Sequence, residues 1–289
     1  MPEKEPSLWA DVDGDFEEYQ RVALRGNGVT DWLQERSTTR VGRWEQAARA
    51  GYARGMVLLG ECYEKGFGGV PQDEKQAVEW YRKAAEAGNA LAMYNLGWMY
   101  EYGRGVPQDD EKAVEWYRKA AEAGNVNAIL NLGEIYRIGS RVPQDDEKAV
   151  EWYRKAAEAG NALAMYNLGW MYEYGQGVPQ DDEKAVEWYR KAAEAGNALA
   201  MYNLGWMYEY GRGVPQDEKQ VVEWYRKAAE AGNALAMYNL GWMYAKGRGV
   251  PQDEKQAVEW LQKAAQAGHP LAPGALKKVN QQTSQIKGE

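Results

Sequence analysis

The chain has 289 residues, 45% hydrophobic and 27% charged, a globular balance that excludes an intrinsically disordered reading. Its formal net charge of −8 repels phosphate backbones, so no nucleic acid is expected as partner, and a basic membrane-surface helix is disfavoured. Cys62 is the only cysteine, which excludes an intrachain disulfide and a zinc site of several thiolates.

Residues 1–15, MPEKEPSLWADVDGD, lack an apolar run of signal-peptide length and read as a flexible N-terminal extension. No later stretch approaches a membrane span, so no membrane insertion is expected. The corresponding expectation is a cytoplasmic protein, with signal-less export left open. Within DVDGDFEE (11–18) there is the outline of a calcium loop. Its glycine comes at the fourth place instead of the sixth, however, and Val22 stands where a bidentate glutamate is required. Residues 16–51 read as a degenerate N-terminal capping repeat. In it FEEYQRVALRGNGV (16–29) is a worn helix, with Asp15 and Glu18 as a capping-box pair.

From 52 to 268 the chain repeats itself. Trp80, Trp116, Trp152, Trp188, Trp224 and Trp260 are each 36 residues apart, and Pro107, Pro143, Pro179, Pro215 and Pro251 keep the same interval. Each unit predicts two helices. One runs from about 90 to 102, with Met93, Leu96, Gly97 and Tyr100 at helical spacing on one face. It stops at GRGVPQD, where Gly103 and Gly105 permit positive φ and Pro107 cannot continue a helix. The other starts near Asp109 or Asp110, whose carboxylates suit a helix N-terminus. In the preceding unit Ala77, Trp80, Tyr81 and Ala84 form its apolar stripe, and EAGN ends it with Gly88 at C′. No single pair can bury its apolar face, so the pairs must stack into a superhelical solenoid, an all-α fold. The unit at 57–72 has one extra loop residue and carries Leu58 at the Asn95 position and Glu61 at the Trp98 position. Residues 269–280 read as a C-terminal capping helix, with Pro273 and Lys277 in place of apolar Met and Gly, and 281–289 as a frayed tail.

The unit ALAMYNLGWMYEYGRGVPQDDEKAVEWYRKAAEAG (90–124) fits the pattern AxxxLGxxYxxGxGVPxDxxxAxxWxxKAAxxG and resembles the Sel-one-like repeat, a branch of the tetratricopeptide superfamily. The resemblance covers roughly 44–268. It implies an α/α right-handed superhelical solenoid whose first helices line the concave side, and a role as an adaptor that assembles protein complexes. A few bacterial members of the family are hydrolases of β-lactam-like compounds.

On that geometry Leu96, Gly97 and Tyr100 pack inward, and Tyr94, Asn95, Trp98, Glu101 and Tyr102 face the groove. In related tetratricopeptide domains the position matching Asn95 often bonds a bound peptide, and an amide supplies a donor and an acceptor together. Asn95, Asn131, Asn167, Asn203 and Asn239 would form a ladder. Tyr94, Trp98 and Tyr102, with Tyr166, Trp170, Tyr174, Tyr202, Trp206, Tyr210, Tyr238 and Trp242, would supply the walls for an extended or proline-rich segment. Equally, each asparagine could bond a neighbouring helix and each tryptophan could pack between first helices. The unit at 127–139 bears on the choice: it has Leu130, Glu134 and Ile138 for the aromatics yet keeps Asn131.

Catalytic groups are sparse. His269 is the only histidine, in the worn C-terminal unit, and is expected to be exposed. Ser7, Ser37, Ser140 and Ser284 lie in terminal or loop-like context, and Cys62 takes an apolar position that predicts buried packing. The paired carboxylates recur at helix starts and read as caps, and GRGV ends helices instead of opening one after a strand. The reading is a non-enzymatic adaptor with no cofactor and no metal, binding another protein through an extended peptide segment. The alternatives are a glycan-binding module using the same aromatic stripe and, third, a β-lactam-type hydrolase.

Overall fold

The computed structural model describes residues 6–24 and 28–286, which form fifteen helices and, among the described residues, no strand. The architecture is an all-α solenoid of helix-turn-helix repeats. The chain divides into two compact units, 1–144 and 145–289. The first holds α1 (Pro6–Leu24), α2 (Val29–Arg49), α3 (Ala53–Lys65), α4 (Glu74–Glu86), α5 (Ala90–Tyr102), α6 (Asp110–Glu122) and α7 (Val126–Ile138). The second holds α8 (Asp146–Glu158), α9 (Ala162–Tyr174), α10 (Asp182–Glu194), α11 (Ala198–Tyr210), α12 (Glu218–Glu230), α13 (Ala234–Lys246), α14 (Glu254–Gln266) and α15 (Ala272–Ile286). Within each unit every helix packs on its chain neighbours, as antiparallel pairs joined by short turns require.

Each repeat helix is 13 residues long because both its ends are chemically fixed. The Asn89 side chain accepts the Ala92 N–H at 3.0 Å to open α5, and Gly103 closes it in the left-handed region at φ 65°. Asp109 accepts the Lys112 N–H at 3.0 Å to open α6. Each such cap contributes about 1 kcal/mol. EAGN, expected as a stop only, is therefore also a start, since its Asn caps the next helix.

The two helices of a repeat meet where a tyrosine ring lies on a helical glycine. A Cβ added to Gly97 would stand 2.6 Å from the Tyr117 ring, and one on Gly205 would stand 2.5 Å from the Tyr225 ring. Tyr117, Tyr189 and Tyr225 are buried at the centre, with Leu96, Leu168 and Leu204 beside them. One repeat seats on the next through the second loop glycine. Gly105, at φ 67°, lies so close to the Glu74 carbonyl that no side chain fits, and Gly213 stands likewise against Asp182.

Several expectations are corrected. Residues 6–15 are not a flexible extension: α1 begins at Pro6 and buries Val12, Phe16 and Tyr19. Asp15 and Glu18 are not a capping box, because they lie in mid-helix. Asp15 is buried and accepts from Trp44 Nε1 and Arg36 Nε, both at 2.9 Å, so its polarity serves an interhelical contact. The calcium-loop outline at 11–18 is likewise helical. The tail does not begin at 281, since α15 runs to Ile286; residues 287–289 of the expected frayed tail lie outside the described residues. Met93 and Tyr100 are half-buried, and Met99 takes the fully buried place. Trp80 is half-buried beneath Lys83, whose Nζ lies 4.4 Å from the ring centroid, and Val78 occupies the core instead.

Substituting Gly205→Ala should cost about 1–3 kcal/mol, because the methyl group meets a ring that cannot move away. Gly14→Ala, in mid-α1 with nothing within 4 Å of the new methyl, should gain about 0.5–1 kcal/mol. Urea unfolding of the two variants checks both signs.

Candidate partner-binding face

In each unit, carboxylates that helical spacing did not reveal lie beneath the first helices. Glu101 and Glu173 are buried and Glu209 is half-buried, although Glu101 was expected to face the groove. Each accepts from the central tyrosine of its own repeat: Tyr117 to Glu101, Tyr189 to Glu173 at 2.6 Å, and Tyr225 to Glu209 at 2.8 Å. Each is also reached by an arginine from the loop one repeat on. Arg141 bonds Glu101 at 2.7 Å, Arg212 bonds Glu173 at 3.2 Å and Arg248 bonds Glu209 at 3.2 Å. The same arginines hold the start of the second helix, and Arg212 takes both oxygens of Asp182 at 3.0 and 2.7 Å. Burial and the neighbouring carboxylates push the three tyrosine hydroxyls well above their ordinary pKa, so they remain neutral donors.

The asparagines lie beside the same groups within each unit. Asn131 lowers the pKa of both Tyr94 and Tyr117 against the upward push of burial, as Asn203 does for Tyr166 and Tyr189 and Asn239 for Tyr202 and Tyr225. Asn95 Nδ2 donates to Glu61 Oε1 at 3.0 Å, and Asn167 is half-buried on α9.

The aromatics are more open. Tyr94 and Tyr166 are half-buried against the central tyrosines. Trp98, Trp170 and Trp206 are half-buried, each in a tilted pair with Tyr102, Tyr174 and Tyr210 at 5.1, 5.2 and 4.9 Å. Those three tyrosines are exposed by 57, 56 and 62%, an outlay of apolar surface that packing does not need. Arg104 and Arg212 lie over the rings of Trp98 and Trp206, 5.4 and 5.1 Å from their centroids. In the second unit these groups enclose a cleft of about 390 Å³ lined by Tyr202, Trp206, Tyr210, Asn239, Trp242 and Lys246 among others. The equivalent cleft of the first unit, at Tyr102 and Asn131, measures about 180 Å³, with Glu134 and Ile138 for the aromatics.

Within each unit the outermost repeat is covered by the chain itself. Glu61, at the Trp98 position, is buried and accepts from Tyr19 of α1 at 2.7 Å, and Glu64 accepts from Tyr81 at 2.9 Å. At the other end His269 is not simply exposed: its ring stacks on Tyr238 at 4.3 Å, and partial burial lowers its pKa. Cys62 is buried, and burial pushes its thiol up to about 12. Among the described residues no group of three or more His, Cys, Asp or Glu could hold a metal ion, and no helix is long and apolar enough to cross a membrane.

The loop arginines and buried glutamates had a sequence signal in their joint changes. At the last repeat Glu and Tyr disappear together, as Ala245 and Leu261. In the loop after α7 the usual Gly-Arg-Gly becomes Gly-Ser-Arg, and Arg141 still reaches Glu101 from one place further on.

The Sel1 repeat family matches six consecutive segments, residues 53–89, 90–125, 126–161, 162–197, 198–233 and 234–269. The chain belongs to that family, whose repeats are commonly protein–protein interaction modules and whose scaffold members are generally non-catalytic. A Sel1 repeat protein from Oxalobacter formigenes is similar in structure, with a TM-score of 0.70 and 36% identity over 87% of this chain and 99% of that one. So is c5321, a protective antigen of uropathogenic Escherichia coli displaying an SLR fold, with a TM-score of 0.61 and 34% identity over 91% of this chain and 67% of that one. A stretch of 62 residues, 22% of the chain, is 39% identical to HRD3A of Arabidopsis thaliana, an ERAD-associated E3 ubiquitin-protein ligase component, and spans 9% of that protein.

Burial and the charge of Glu64 raise the Glu61 pKa from 4.5 to about 7. The folded state therefore keeps a proton that the unfolded chain releases, and stability should fall as pH rises from 4.5 towards about 7. Glu61→Gln removes that ionisation. Its melting temperature should exceed that of the wild type at about pH 8, with little difference at about pH 4, as thermal scans at the two pH values will show.

Proposed function

We propose that the protein is a non-enzymatic adaptor that holds an extended peptide segment of a partner protein along the first-helix face. The observation that carries this reading is the exposure of Tyr102, Tyr174 and Tyr210 on Trp98, Trp170 and Trp206. The fold tolerates Glu134 and Ile138 at those places in α7, which still forms its full 13-residue helix. Aromatic surface retained where the architecture does not require it is the kind of surface that supplies binding hot spots. Tyr94, Tyr166, Tyr202 and Tyr238 complete the walls, with Trp242 at the far end. Asn95, Asn131, Asn167, Asn203 and Asn239 contribute by presenting amides to a peptide backbone. Internal pairing satisfies the carboxylates beneath the face, so a ligand meets rings, amides and cation edges.

Selection of a displayed random-peptide library on the full chain should enrich specific sequences. Trp206→Gln combined with Tyr210→Ile, imitating the polar and aliphatic residues of α7, should weaken the selected peptides by about thirtyfold or more, the loss expected on truncating a hot spot. Circular dichroism and melting should stay near those of the wild type. Failure to enrich any peptide, together with binding on a glycan array, would replace this reading with the glycan-binding one.

A further inference from the structure

We infer that the first unit holds a binding site of its own chemistry, a groove between α5 and α7 with a cavity at each end, which takes two aliphatic side chains of one partner segment. This rests on the binding-face reading above and deepens it, assigning aliphatic anchors to the first unit where the second offers aromatic walls.

Two helical stripes border the groove. Leu91, Asn95, Trp98 and Tyr102 share one face of α5, and Asn127, Asn131, Glu134 and Ile138 share the matching face of α7. At the N-terminal ends of the two helices a cavity of about 400 Å³ lies among Ala90, Leu91, Val126 and Asn127, with Gln20 and Ala23 of α1 as a further wall. At their C-terminal ends the cleft of about 180 Å³ lies among Glu101, Tyr102, Glu134 and Ile138. Each cavity is therefore lined by both helices. An α-helix rises about 1.5 Å per residue, so Asn127 and Ile138 stand about 16 Å apart along the axis of α7. Adjacent residues of a ligand, about 3.8 Å apart, cannot serve both ends, and the two anchors stand about four or more residues apart.

The chemistry of both ends suits an aliphatic group. At the N-terminal cavity the lining is small or aliphatic, and among the described residues no charged side chain takes part in it. Its polar groups are the amides of Gln20, Asn125 and Asn127. Asn125 already accepts the Ala128 N–H at 2.9 Å, while Gln20 and Asn127 are exposed and can meet the backbone of a bound segment. At the C-terminal cleft the charges are paired within the chain. Arg141 bonds Glu101 and Arg137 bonds Glu134, both at 2.7 Å, and Ile138 projects with 57% exposure beside Tyr102. A cleft of about 180 Å³, against about 390 Å³ in the second unit, suits a branched aliphatic side chain better than an indole.

The sequence converges on the same two places. The second helices α6, α8 and α10 are identical, whereas α7 departs from α5. Val126 and Asn127 replace alanine and leucine at the N-terminal cavity. Glu134, Ile138, Ser140 and Arg141 replace tryptophan, tyrosine, arginine and glycine at the C-terminal one. Meanwhile α7 keeps its 13 residues and both its caps. The repeat that lacks the aromatic pair thus carries a lining of its own at each end of the groove.

The test uses the full chain and a displayed random-peptide library, with enriched peptides synthesised singly and their affinities read by calorimetry. The enriched peptides should include a class with two aliphatic residues about four or more positions apart. Replacing either residue by aspartate should weaken binding to the unaltered chain at least about tenfold. Asn127→Leu, Glu134→Trp and Ile138→Tyr together give α7 the stripe that α9 already carries, and should weaken this class by a similar factor. Ala23→Trp narrows the N-terminal cavity from the side of α1 and should do the same, with circular dichroism showing both variants folded. Peptides that enrich yet bind both variants as tightly as the wild type overturn this inference and leave the binding face standing. Loss with one variant alone, or with one aspartate replacement alone, overturns the two-ended groove. A library that enriches nothing removes this inference and the binding-face reading together.

Discussion

A tyrosine ring lying on a helical glycine closes the repeats, and most of the other contacts follow from it. Tyr81 lies on Gly60, Tyr117 on Gly97, Tyr189 on Gly169 and Tyr225 on Gly205. The missing side chain lets the helices approach until the phenol passes through the repeat, and its hydroxyl then emerges beneath the opposite face. A buried hydroxyl requires a partner, and the partner is a glutamate of the first helix. A buried carboxylate requires more than one donor, and Arg141, Arg212 or Arg248 from the next loop supplies the second. One close approach thereby determines the pairing within a repeat and the polar link to the next. The last repeat shows the dependence in reverse. With Leu261 in place of tyrosine there is no hydroxyl to satisfy, and Ala245 replaces the acid, while Gly241 remains because the leucine still needs its space.

This economy of polar groups explains why the first-helix face can be both richly polar in sequence and largely apolar in contact. Its acids and central tyrosines are engaged with one another, and Arg104 and Arg212 lie over indole rings instead of projecting freely. What remains outward is the tryptophan–tyrosine pairs. In the second unit they border a cleft whose unpaired charge is Lys246, although the whole chain carries −8. Net charge describes long-range attraction, and the local arrangement of pairs describes what a ligand meets on arrival.

The repeat period, the helix limits from 90 to 124 and the cap chemistry at Asp109 and Gly103 were legible because each depends on residues within a few positions of one another. Glu101 was misplaced for the opposite reason. A helical projection shows it away from Leu96 and Gly97, and only Tyr117 and Arg141, 16 and 40 residues away, bury it. Asn131 is kept by the worn repeat, and its influence on Tyr94 and Tyr117 reaches across repeats in the same way. The N-terminal helix was hidden by its own polarity. Asp15 reads as a cap when seen in isolation, and only Trp44 and Arg36 of α2 make it an interior residue.

The ends of the array show how such a face is limited to the repeats that use it. A stacked array has to terminate its last slots, since an open aromatic wall without a neighbour is a site for self-association. At the first repeat Leu58 and Glu61 replace the amide and the indole, and Tyr19 of α1 reaches in to bond Glu61, so no slot forms there. At the last repeat His269 stacks on Tyr238 and covers one wall, and Lys246 sets a charge where the others set a phenol. The two ends differ in chemistry, one carboxylate-filled and buried, the other capped by an imidazole and cationic. An array of near-identical repeats has no intrinsic direction for a ligand lying along it. A lysine stands at the phenol position at both ends, Lys65 beside the Trp98 ring and Lys246 beside the Trp242 ring, and the two differ in that Lys65 is paired with Glu64.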